Sequence, residues 1–119
     1  MIKLYDHPLS GNCFKVKLLL IQAGLTFETR VVDVFKGENL TTEFKKINPA
    51  TKIPVIDDDG YTIWESNAIL IYLAEKTGND LLPKIPQKRA TTMQWLMFQM
   101  GGVGPMFGQA HHFLRNPKE

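Results

Sequence analysis

The chain has little cysteine: one residue, Cys13, in 119. That excludes an intramolecular disulfide and any zinc site built from several thiolates. No apolar run reaches the roughly 18 residues that a membrane span needs. The opening Met1-Ile2-Lys3-Leu4-Tyr5 has no signal-peptide pattern and already reads as a strand. Nowhere is there a dense basic run with interleaved aromatics, so nucleic acid is not expected as a partner. What remains is 44% hydrophobic and 22% charged residues, ordinary for a globular chain and wrong for a disordered one. A soluble, cytoplasmic protein without membrane association is the expectation. The net charge of +2 is uneven: residues 1–80 carry −2 and residues 81–119 carry +4. The step suggests a boundary near residue 80.

The hydrophobic pattern predicts a strand over residues 1–5, a polar Pro-containing loop, and a helix over 12–23 closed by Gly24. Alternation at Phe27, Thr29 and Val31 predicts a second strand over 26–33, and a short helix near 42–47 stops at Asn48-Pro49. Residues 53–57 and 61–64 flank Asp58-Asp59-Gly60, a hairpin signal, and Ser66 is placed to cap a helix over 67–76. The order βαβ, α, ββα demands a parallel pair with a right-handed crossover, to which the hairpin adds antiparallel strands. Residues 81–87, with Pro83 and Pro86, read as a linker. Met93, Leu96, Met97 and Met100 then recur at helical spacing, and Gly101-Gly102 is expected to loosen that helix. A lone amphipathic helix is marginal in water, so the segment is expected to dock on the first domain or another chain, and the sequence looks cut short.

Three places carry chemistry. A cis Ile53-Pro54 bond would leave the backbone of Ile53 free to pair an extended peptide, although only about 5–6% of X-Pro bonds are cis. Ser10-Gly11-Asn12-Cys13 opens the first long helix, where unpaired amides and the dipole favour an anion and a Ser10 hydroxyl can hydrogen-bond a thiolate. The commoner use of such a serine is as a helix cap. Glu65-Ser66 opens the last helix of the first domain, a corner suited to a carboxylate and an ammonium; a plain cap beside an exposed acid is the simpler reading.

Taken in order, Asn48-Pro49-x-x-Lys52-Ile53-Pro54, the hairpin and Glu65-Ser66-Asn67-Ala68-Ile69 resemble the N-terminal domain of cytosolic glutathione transferases. His7-Pro8-Leu9-Ser10-Gly11-Asn12-Cys13 fits the serine-type members. The tail from Gln94-Trp95 to His111-His112-Phe113 is similar to the first long helix of their helical domain, most like the bacterial nu-class group. The resemblance implies an α/β thioredoxin-like domain over 1–80 with a mixed four-stranded sheet, followed over 81–119 by a linker and the start of an incomplete all-α domain. It implies glutathione as co-substrate, with Ile53 pairing its cysteine beside a cis Pro54, and Glu65 and Ser66 holding its γ-glutamyl end. Lys52 could reach a carboxylate, and Ser10 or Asn12 would stabilise the thiolate. Asn39 stands where related classes often place a basic residue for the glycyl carboxylate, a charge it lacks. The implied activity is glutathione transfer to a small electrophile, or disulfide reduction, by a homodimer without a metal.

Two rival readings share these residues. A glutaredoxin-like reductase would use Cys13 as nucleophile, at the last position of the motif that Ser10 begins. A glutathione-binding scaffold without turnover would present Met93, Met97 and Met100 to a partner.

Overall fold

The computed structural model describes residues 1–117, and the chain divides into two compact units, Met1–Asn79 and Asp80–Glu119. In the first unit, strands β1 (Ile2–Asp6), β2 (Phe27–Val31), β3 (Val55–Asp58) and β4 (Tyr61–Trp64) form one sheet in the order β2-β1-β3-β4. β1 runs parallel to β2 and antiparallel to β3, and β3 and β4 form the hairpin. This is the mixed, thioredoxin-like sheet that the resemblance implies.

Alternation along the central strands feeds two separate cores. Ile2, Leu4 and Ile56 point to one face, where they meet Val16 and Leu20 of α1 (Gly11–Gln22) and Ile69 and Leu73 of α3 (Ser66–Thr77). Their chain neighbours Tyr5 and Val55 point to the other face, against Phe44 of α2 (Thr42–Ile47). The α1–α3 face is the larger, and Leu4, Val16, Leu20, Ile56, Ile69 and Leu73 are fully buried in it.

Several boundaries differ from the sequence reading. β2 ends at Val31 because Asp33 turns the chain, accepting from the amides of Phe35 and Lys36 to cap a 3-10 turn, Val34–Lys36. The hairpin ladder begins at Val55, two residues later than expected, since Pro54 has no amide to donate. In the second unit the helix starts inside the expected linker: α4 (Pro86–Phe98) uses Pro86 in its first turn, where a missing donor costs nothing. Gly101-Gly102 does not end the helix. The turn widens to a π-helical segment over Gln99–Val103 and continues as α5 (Gly104–Arg115). A Cβ on Gly104 would lie 2.9 Å from the Gln99 carbonyl oxygen, so the widened turn requires glycine there.

The Asp57-Asp58-Asp59 run is absorbed by the fold. Asp57 accepts from the Gly60 amide, Asp58 from Tyr72 and Lys76, and Asp59 pairs with the terminal amine. No helix among the described residues is long and apolar enough to cross a membrane.

Candidate functional site

The Ile53-Pro54 peptide is cis. Pro54 is buried, the ladder begins only at Val55, and neither the N–H nor the C=O of Ile53 has a partner among the described residues. The preceding loop is held by Asn48, 1% exposed, whose amide donates to the Lys52 carbonyl (2.8 Å) and whose Oδ1 accepts from the Ala50 amide (2.8 Å). Thr51 takes a left-handed conformation there, φ 57°.

Around Ile53 a recess of about 70 Å³ is lined by Asn12, Asn48, Lys52, Ile53, Pro54, Glu65 and Ser66. Two helix N-termini reach this region. At α1, Ser10 is the cap: its hydroxyl accepts from the Cys13 amide at 3.2 Å, leaving the amides of Gly11 and Asn12 free of protein partners. Asn12, in the exposed first turn, lines the recess; Ser10 does not.

The start of α3 corrects the expected cap. Ser66 does not precede the helix but is its first residue, and Glu65 occupies the capping position with no side-chain hydrogen bond to the helix. The cause is the backbone of Glu65, at φ 72° and ψ 111°, a region costly for any side chain by roughly 1–3 kcal/mol. The twist spares the Ser66 hydroxyl from capping and sends both Glu65 and Ser66 to the recess lining. One residue on, Asn67 is buried and accepts from Lys15 Nζ at 2.7 Å. Burial lowers the Lys15 ammonium below its ordinary pKa, while nearby Glu65 acts to raise it.

Six of the sequence candidates therefore converge: Asn12, Lys52, Ile53, Pro54, Glu65 and Ser66. Ser10 and Asn39 do not line the recess. The Asn39 amide donates to the Thr51 carbonyl at 2.8 Å, and its Oδ1 is buried without a partner. Sequence reading missed Asn48 as a wall and Lys15-Asn67 as a buried pair. The Asn-Pro dipeptide after a helix signals a turn, but only the structure shows its side chain bonded two and four residues on.

Cys13 has no access to the recess. It is 0% exposed, and its thiol donates to the Tyr5 carbonyl at 4.0 Å. Burial pushes its pKa above the ordinary value, outweighing the Ser10 hydrogen bond that acts to lower it. A thiol so placed is inert, which argues against the glutaredoxin-like nucleophile.

The chain is 47% identical over 120 residues to the disulfide-bond oxidoreductase YfcG of Escherichia coli, an alignment covering 95% of this chain and 55% of that protein. It is 45% identical to a glutathione transferase family member from Pseudomonas fluorescens solved with two glutathione bound (TM-score 0.87, 94% of this chain and 51% of that one). A Nilaparvata lugens delta-class glutathione transferase is 40% identical, with a TM-score of 0.88 over 95% of this chain and 54% of that one. The chain thus spans about half the length of the relatives it matches. The family described as "Glutathione S-transferase, N-terminal domain" matches residues 1–75, and the chain belongs to that family.

Proposed function

We propose that the recess at Ile53 binds glutathione and activates its thiol. The observation that carries this is the meeting of an unpaired strand edge, Ile53, with the start of α3 at Glu65-Ser66 and with Asn12 in the first turn of α1. The tripeptide would pair its central residue with Ile53, strand to strand. Its γ-glutamyl ammonium would go to Glu65 and its α-carboxylate to the Ser66 hydroxyl and amide. Lys52 supplies a cation for the remaining carboxylate. At 70 Å³ the recess seats part of the ligand, and the rest lies along the open edge.

The thiol would then rest over the N-terminus of α1. The free amides of Gly11 and Asn12, the helix dipole and the Asn12 side chain favour thiolate over thiol. Ser10 is already engaged as the cap; its hydroxyl proton remains available, but Asn12 is the residue on the lining. No protein base is required, since fixed dipoles lower the thiol pKa.

The likeness to a disulfide-bond oxidoreductase supports disulfide reduction as the reaction. The bound thiolate attacks one sulfur of a disulfide, forming a mixed disulfide and releasing a thiolate, which takes up a proton. A second glutathione thiolate then attacks the glutathione sulfur of that mixed disulfide, giving glutathione disulfide and the second reduced thiol. Two relatives fit the two ends of this sequence: the P. fluorescens protein was solved with two glutathione bound, and a Pseudomonas putida glutathione transferase with one glutathione disulfide per subunit. Transfer to an electrophile would use the same first thiolate. A cytoplasmic homodimer is the setting proposed for either reaction.

Calorimetric titration with reduced glutathione, with thiolate absorbance followed in the same samples, tests the reading. Binding with the thiol titrating well below its free value supports it. Binding without that shift would leave a glutathione-holding scaffold, and no binding by the folded chain would refute the site in this chain.

A further inference from the structure

A second cavity lies on the other face of the sheet, between α2 and the edge strand β2, and shares no lining residue with the recess at Ile53. Its volume of about 430 Å³ falls within the range of roughly 300–1,000 Å³ usual for small-molecule sites. The floor is apolar: Val32 and Phe44 are buried there and Ile47 half-buried. Tyr5 also lines it. That residue is 6% exposed, yet its hydroxyl has no hydrogen-bond partner among the described residues. Buried tyrosine hydroxyls ordinarily find a partner. Here the Tyr5 and Phe44 rings stand edge to face with centroids 6.0 Å apart, and Tyr5 is one of the residues lining the cavity.

The charged lining residues are unpaired in a telling way. Arg30, on β2, sets its guanidinium carbon 6.0 Å from the Tyr5 ring centroid and makes no ion pair within 4.0 Å among the described residues. Glu43, in the first turn of α2, has no partner among the described residues, and Glu38 spends one oxygen on the Asp33 amide at 2.7 Å. Cation and carboxylates thus sit on the same cavity wall set without neutralising one another. An uncharged apolar guest would leave Arg30 and Glu43, both exposed, with water as their only partner. A pure anion would meet Glu38 and Glu43, and a pure cation would meet Arg30.

We infer that this cavity binds a small zwitterion with an apolar side chain, an amino acid or dipeptide. Its carboxylate is held by Arg30 and the Tyr5 hydroxyl, its ammonium by Glu43 and Glu38, and its side chain rests on Val32, Phe44 and Ile47. The site is independent of the glutathione reading.

The test is an amide-resolved NMR titration of the full chain with leucyl-phenylalanine, and with the same dipeptide acetylated and amidated so that both charges are gone. Saturable shifts at Val31, Val32, Phe44 and Ile47 are expected with the zwitterion, and about tenfold or more weaker binding of the blocked form. Arg30→Gln and Glu43→Gln, both at exposed positions, should each weaken the zwitterion by a similar factor. Equal affinity for the blocked dipeptide, or unchanged affinity in both variants, would overturn the assignment. So would the absence of saturable shifts at these four amides. Glutathione added to the same sample reports on Ile53, Glu65 and Ser66, so failure of one site is read separately from failure of the other.

Discussion

Ser10→Ala and Asn12→Ala should have opposite signatures. Ser10 caps α1 through its 3.2 Å bond from the Cys13 amide, and that amide lies above a fully buried thiol. Removing an N-cap oxygen costs about 1 kcal/mol. For a unit the size of Met1–Asn79, each kcal/mol lowers Tm by roughly 4–8 °C. Asn12 is exposed and makes no side-chain hydrogen bond among the described residues, so alanine there gains helix propensity of about 0.5 kcal/mol and leaves Tm level or slightly raised. Its cost falls on the ligand. Losing one hydrogen bond to a charged group forfeits about 1.5–3 kcal/mol, and 1.36 kcal/mol is one pKa unit, so the bound glutathione thiol should rise by about one to two units. Thermal melts of both variants, with a pH titration of thiolate absorbance at saturating glutathione, read both effects. The assignment fails if Ser10→Ala moves the thiol pKa by a unit while Asn12→Ala leaves it untouched. It fails as well if Ser10→Ala melts with the parent.

Iodoacetamide should label Cys13 at neutral pH at least about 100-fold more slowly than the urea-unfolded chain, because modification requires opening of the α1 core; equal rates by mass spectrometry would contradict the burial. Asn48→Ala leaves the Lys52 carbonyl and the Ala50 amide unpaired, so a loss of about 1–3 kcal/mol in urea melts is expected, together with weaker glutathione binding as Ile53 is released. The Asp58 carboxyl is held below its ordinary pKa, first by the Lys76 hydrogen bond and then by Tyr72. Its stabilisation is therefore full above the unfolded pKa near ~3.9 and is lost as pH falls toward the folded value. Asp58→Asn should flatten that acid limb of the urea midpoint, and an unchanged limb would remove Asp58 as its source.

The sheet was legible because Ile2 with Leu4, the alternation at Phe27, Thr29 and Val31, and the Asp-Gly turn each announce a strand or a hairpin, although β2 is exposed from Glu28 to Val31. The recess was legible through Ile53-Pro54 and Glu65-Ser66, whose residue types suit their tasks wherever the chain brings them. What sequence could not show was the backbone of Glu65, since no propensity assigns a glutamate to positive φ; the Ser66 cap was misplaced for that reason. The proposed preference for Asn12 over Ser10 rests on the hydrogen bond Ser10 accepts from the Cys13 amide and on Asn12 lining the recess, neither of which local sequence shows. The cavity under α2 left no local trace, because Tyr5, Arg30 and Glu43 are far apart in sequence and meet only across the fold.

The twist at Glu65 sets selection for hardiness against selection for use. Only glycine occupies that backbone region freely, so a library screened for survival at high temperature should drift toward glycine at residue 65. A library screened for ligand capture should hold the acid. Sequenced side by side, the two populations would separate at one codon, and the width of that separation would measure what the chain gives up to keep a carboxylate beside Ser66.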